Sequence, residues 1–161
     1  MTYNKLKEGG DKMMNQFADH ILAYSSSEGQ NLTNLELQKV MYFSLGEYLL
    51  EKGIDQAATD IYDEKFEGWQ YGPVIRSVYH KYRLFGRYPI TSSTQINPKF
   101  EVFNTYINKS VKTPISTLIQ ISHEHKIWAD NMDAILNKIK IEYELGDIHE
   151  SFRNHRITQV Q

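Results

Sequence analysis

The chain has no cysteine. Disulfide bridges and thiolate-held metals are thereby excluded, and no cysteine nucleophile is available. Long apolar runs are also missing. No stretch approaches the length that spans a bilayer, and the N-terminus lacks the basic-then-apolar layout of a secretion signal. A cytoplasmic protein with no membrane partner is therefore expected. There is no glycine-x-serine-x-glycine elbow, and Gly9-Gly10 lacks the remainder of any phosphate-cradling loop. With a formal charge of −2 and a pI near 6.3, the chain has no excess of positive charge. Non-specific nucleic-acid binding leans on such an excess, so nucleic acid is not the expected partner. Internal repeats, linkers and low-complexity tracts are absent too.

What is present suits one globular domain. The chain has 161 residues, 40% of them apolar and 12% aromatic, which is enough for a real core and argues against disorder. The expected domain covers residues 11–146, with 1–10 and 147–161 as loosely held termini. Charge is segregated along the sequence. Between residues 47 and 67 the acids Glu47, Glu51, Asp55, Asp60, Asp63, Glu64 and Glu67 face only Lys52 and Lys65. Residues 68–100 contain no acid, but carry Arg76, Lys81, Arg83, Arg87 and Lys99. Such neighbouring patches either steer a charged partner or neutralise each other across the fold.

Periodicity points to a mainly α fold: a compact single-domain bundle of about six helices with a small two-stranded β element. Met13, Phe17 and Ile21, with Met14, Ala18 and Leu22 beside them, make an apolar stripe over 11–26. Thr33 and Glu36 form a capping box that opens a second helix, which Gly53 ends. That helix is apolar on two sides, so it is expected at the centre. Residues 54–65 read as an acidic connector, and 66–71 as a short aromatic strand. Gly72-Pro73 then turns the chain, with Pro73 at the first position of a third helix running to Phe85. Residues 87–90 are the expected partner strand. Asn97-Pro98 opens a fourth helix and Thr113-Pro114 a fifth. A break at 123–127 precedes a sixth, carrying Met132, Ile135, Leu136, Ile139 and Tyr143.

Three stretches resemble one family. Leu35-Glu36-Leu37-Gln38-Lys39-Val40-Met41-Tyr42-Phe43 is similar to a leucine-glutamine-lysine-leucine-leucine-tyrosine-phenylalanine helix. Trp69-Gln70-Tyr71-Gly72-Pro73-Val74, followed by Val78-Tyr79, is similar to a tryptophan-x-tyrosine-glycine-proline-valine turn. Ser122-His123 and Trp128 resemble a threonine-histidine then proline-tryptophan signature, with Ile127 in place of the proline. Together they resemble the Panacea domain, the family of the SocA-type antitoxin and proteolytic adaptor, met as phage- or mobile-element-associated proteins. The resemblance implies a helical, non-enzymatic antitoxin without a cofactor. Its partner would be a cognate protein toxin, neutralised by direct binding or delivered to a ClpXP-type protease.

The candidate residues each admit two readings. Gln38 and Lys39 are either satisfied inside the fold, holding the 69–73 turn, or offered to a partner. Leu37, Tyr42, Gly72, Pro73, His123 and Trp128 are motif positions expected to be structural. Trp69 is expected in the core, while Tyr71 and Tyr79 are the better contact candidates. Arg76, His80, Arg83 and Arg87 are spaced four, three and four apart, lining one helix face that would grip an acidic toxin surface or a phosphate, or simply be solvated. His123-Glu124-His125, with Asp130 nearby, is the one cluster to suggest a metal or catalysis. It lacks a third ligand at a recognised spacing, so neither a metal nor a catalytic residue is assigned. The rival from another class is a DNA-binding regulator of a mobile-element or phage operon, reading DNA through the third helix.

Overall fold

The computed structural model describes residues 11–91 and 93–157. Its central element is α2 (Asn34–Lys52), the second helix in chain order after α1 (Met13–Ser27). Thr33 Oγ1 accepts the Glu36 N–H at 3.1 Å while Glu36 Oε1 accepts the Thr33 N–H at 2.9 Å, completing the capping box. Gly53, at a φ of 76°, stops the helix. Leu37, Val40, Met41, Tyr42, Phe43, Leu45 and Leu49 are all buried, so α2 is covered around most of its circumference. Each such side chain contributes about 1.5–3 kcal/mol on leaving water. The covering comes from α1, α5 (Asn104–Val111), α6 (Ile115–Glu124) and α9 (Leu145–Asn154). A mainly α fold results. No helix among the described residues is long and apolar enough to cross a membrane.

Several boundaries differ from the sequence expectation. The acidic connector contains a short helix, α3 (Gln56–Ile61), capped by Asp55, whose Oδ1 accepts the Ala58 N–H at 2.9 Å. The strand after it, β1 (Glu67–Trp69), pairs antiparallel with β2 (Gly72–Val74) and not with residues 87–90. Ile90 instead donates its N–H to the Leu32 carbonyl at 2.8 Å. Pro73 therefore lies in a strand opposite Gly68, where its missing N–H costs nothing, rather than at a helix start. The third helix, α4 (Arg76–Tyr82), begins only after Gln38 Oε1 has captured the Ile75 N–H at 2.8 Å, and it passes into a 3-10 turn over Arg83–Phe85.

The 3-10 turn Pro98–Phe103 leads into α5. Beyond α6 the chain breaks at His125, makes one turn as α7 (Lys126–Ala129), then forms α8 (Met132–Leu136). The expected sixth helix through Tyr143 is cut short there. Lys138 takes a left-handed φ of 61° without being glycine; its N–H meets the Ile135 carbonyl at 3.0 Å and the Ile139 N–H meets the Ala134 carbonyl at 2.9 Å. That is a Schellman stop. The chain then runs extended along the free side of β1: the Gly68 N–H donates to the Ile141 carbonyl at 2.8 Å and the Tyr143 N–H to the Phe66 carbonyl at 2.9 Å.

The C-terminal expectation also requires correction. Residues 147–157 are not loosely held, because α9 buries Ile148 and Phe152 completely against α2. The Phe152 ring lies where Gly46 has no side chain; a Cβ on Gly46 would come within 2.0 Å of it. The packed body thus continues past residue 146. Residues 1–10 and 158–161 lie outside the described residues.

Candidate functional site

The three motif stretches meet at the β1–β2 hairpin. Gln38 clamps Ile75 with both ends of its amide, accepting the Ile75 N–H at 2.8 Å and donating Nε2 to its carbonyl at 3.4 Å. Lys39, fully buried, donates Nζ to the Pro73 carbonyl at 2.8 Å. From the far side, Trp128 Nε1 donates to the Trp69 carbonyl at 2.9 Å, and His123 Nε2 lies 3.0 Å from the Gln70 carbonyl. A carbonyl only accepts, so His123 Nε2 carries its ring proton. The His123 ring stacks on Trp128 at 3.8 Å. Burial, foremost, lowers the His123 pKa. Gly72 makes the close approach available: at a φ of 104°, a Cβ there would come 2.6 Å from Ser122 Oγ and 3.2 Å from Lys39 Nζ. Gly72→Ala is expected to cost about 2 kcal/mol from backbone strain and crowding together, read by urea denaturation.

Lys39 has no carboxylate partner among the described residues, and burial pushes its pKa down to about 7. His125, also buried, is held at both nitrogens. Its Nε2 lies 2.7 Å from the His155 carbonyl, so Nε2 bears the proton and Nδ1 accepts from the Tyr42 hydroxyl at 2.7 Å. Burial pushes this imidazole down to about 4 and keeps it neutral. With His125 so engaged, the His123–Glu124–His125 cluster is split between separate structural bonds. Among the described residues no group of three or more His, Asp or Glu is placed to hold a metal.

The contact candidates separate on inspection. Tyr71, at the hairpin tip, is 55% exposed, and Tyr79 is 36% exposed. Trp69 is half-buried rather than in the core, at the end of β1 where the hairpin turns. Tyr79 meets it edge-on at 4.9 Å and the Arg76 guanidinium lies 5.3 Å above its ring. The basic stripe does not survive as one face free of acid. Arg76 grips Glu67 with Nη2 at 2.9 Å and Nε at 3.2 Å. Burial alone would raise the Glu67 pKa, but the hydrogen bonds from Arg76 and Trp69 outweigh it and hold the carboxyl below the usual range. His80 stays exposed on α4, and Arg83 bends back to the His80 carbonyl at 3.1 Å from the 3-10 turn. Arg87 lies past Gly86, 5.7 Å over the Tyr88 ring and off the helix altogether.

Beside the hairpin lies a feature that the sequence reading missed. A cavity of about 480 Å³ runs between Trp69 and the 135–140 segment. Ile135 forms its floor against Gly68, where a Cβ would come 2.7 Å from the Ile135 Cδ1. Leu136 and Ile139, expected in a buried helix stripe, line this cavity at 51% and 57% exposure because the helix ends at Leu136. No glycine marks the left-handed turn at Lys138, so no local signal for it exists. In comparisons with known proteins, no family model, curated protein or solved structure matches this chain.

Proposed function

We propose that this chain is the antitoxin of a toxin–antitoxin pair, neutralising a cognate protein toxin by direct stoichiometric binding and performing no chemistry of its own. The observation that carries this reading is the convergence of the three Panacea-like stretches on one hairpin, through Gln38, Lys39, His123 and Trp128. Their polar groups are spent on backbone carbonyls and amides, which fits a scaffold more than a reactive centre. What the scaffold holds out is Tyr71, Tyr79 and Trp69, with Arg76, His80 and Arg83 on the adjoining helix and turn. Aromatic and arginine anchors fixed before contact lose little entropy on binding. A face of about 800 Å² per partner reaches nanomolar affinity when it carries such preorganised anchors. The DNA-reading rival is less well supported, since α4 has 7 residues and the chain carries a formal charge of −2.

Co-expression with the adjacent open reading frame tests the reading. A neighbour that kills alone and is tolerated beside this chain supports it; a harmless neighbour overturns it. Constant toxin levels on rescue mean direct inhibition, whereas vanishing toxin means delivery to a ClpXP-type protease. Arg83→Glu is expected to weaken toxin affinity about tenfold, with circular dichroism unchanged. An unaltered affinity would remove α4 and its turn from the contact surface.

A further inference from the structure

We propose that the cavity between Trp69 and the 135–140 turn is an anchor pocket for an acidic segment of a partner protein, one large apolar side chain flanked by carboxylates. The proposal rests on the reading of the chain as a protein-binding module, and it assigns the chemistry of the segment bound. Two kinds of observation converge.

The first is apolar. Leu136 and Ile139 are large aliphatic side chains left about half exposed, with the Ile135 floor and the Trp69 ring beside them. A volume of about 480 Å³ falls within the range of pockets that enclose a ligand. The Schellman stop at Lys138 creates this concavity. Had α8 continued to Tyr143, the extended segment along β1 would not exist, and Ile139 would not face the hairpin's neighbourhood. A left-handed lysine is an uncommon conformation, and here it is held by two backbone hydrogen bonds and by the pairing of 141–143 with β1.

The second is charge. Arg76, Lys138 and Lys140 line the pocket. Glu67 is fully engaged by Arg76, and Glu142 lies 3.6 Å from Lys140. Lys138 forms no ion pair among the described residues, so one positive charge at the pocket is uncompensated. Arg76 uses Nε and Nη2 on Glu67, leaving Nη1 with no protein acceptor among the described residues. Planar guanidinium N–H groups and an ammonium beside an aliphatic floor complement an apolar side chain with carboxylates on either side. A lysine-flanked segment would meet like charge and be rejected.

The test titrates two acetylated peptides into protein carrying ¹³C-labelled isoleucine methyls: phenylalanine between glutamates, and phenylalanine between lysines. The glutamate peptide is expected to shift the Ile135 and Ile139 methyls in a saturable way and leave Ile21 and Ile107, in the core, unmoved. Lys138→Glu, and separately Ile139→Asp at an exposed position, should each weaken it at least about fivefold with circular dichroism preserved. Equal binding of the lysine peptide, indifference to Lys138→Glu, or no saturable shift at millimolar peptide would overturn the proposal. Rescue from the adjacent toxin separates the two readings. A chain that rescues cells with Ile139→Asp in place keeps its antitoxin assignment and loses the pocket. A chain that binds the glutamate peptide but rescues nothing keeps the pocket and loses the assignment.

Discussion

Replacing Phe152 by alanine is expected to cost about 3–5 kcal/mol of folding free energy, the range for a large aromatic removed from a core. The ring is fully buried between α2 and α9, edge-on to Phe43 at 5.2 Å and to His125 at 4.7 Å. Were residues beyond 146 loosely held, the same change would cost a few tenths. Gly46 supplies the sharper half of this prediction. Alanine there places a methyl inside the Phe152 ring, an overpacking of about 1–3 kcal/mol, although a helical Gly→Ala change alone is worth up to about 1 kcal/mol in the opposite direction. In the Phe152→Ala background the obstruction is gone, so Gly46→Ala should reverse sign and stabilise. Urea denaturation of the four proteins closes the cycle. Additive effects would show that α9 does not dock on α2 as described.

Lys39 should make folding stability depend on pH. Its folded pKa is pushed down to about 7 by burial, while an unfolded lysine titrates near the ordinary value of 10.5. Between those values the unfolded chain binds the extra proton, so native stability rises with pH across that window and is lost as pH falls toward 7. From pH 7 to 9 the wild-type chain should gain on the order of 2 kcal/mol relative to Lys39→Met, whose position 39 does not titrate. The substitution also removes the hydrogen bond to Pro73, so its absolute stability mixes two effects, while the difference in slope isolates the proton. Parallel stability curves for the two proteins would show that the buried ammonium is compensated by an acid or by water. The same burial explains why Gly72 tolerates so little. The amine beneath it has a single acceptor, and displacing Pro73 would strip that away.

The parts of the fold that were legible in the sequence are those with local causes. Thr33, Glu36 and Gly53 bound α2 because caps act within one turn of chain, and the stripe at Met14, Phe17, Ala18 and Ile21 is a helical period. The misreadings have non-local causes. Gly72-Pro73 resembles a helix opening, yet Gln38, 37 residues from Ile75, takes the amide that would have begun it. Lys138 ends α8 without any glycine, since the pairing of Ile141 and Tyr143 with β1 compensates the strain. The C-terminal helix did carry signals: Glu144 and Asp147 form a capping box, and Leu145, Ile148 and Phe152 share a face. Charge in that segment masked them. At the site, the sequence placed a strand at 66–71 and a turn at Gly72-Pro73 but gave the strand the wrong partner, and the Arg76–Glu67 pair and the exposure of Leu136 and Ile139 follow from tertiary placement alone.

Because β1 draws one neighbour from the residues just after it and the other from the 141–143 segment, roughly 70 positions later, its platform is completed only after α8 has been made. A nascent chain that has emerged only as far as α8 lacks the segment covering that side of the hairpin, and it lacks the aromatic wedge of α9. Until that segment is made, the Gly68 N–H and the Phe66 carbonyl lack the partners they have in the folded chain. A fragment ending before residue 141 would leave that edge of β1 unpaired and open to pairing with another chain, so cleavage there should favour aggregation.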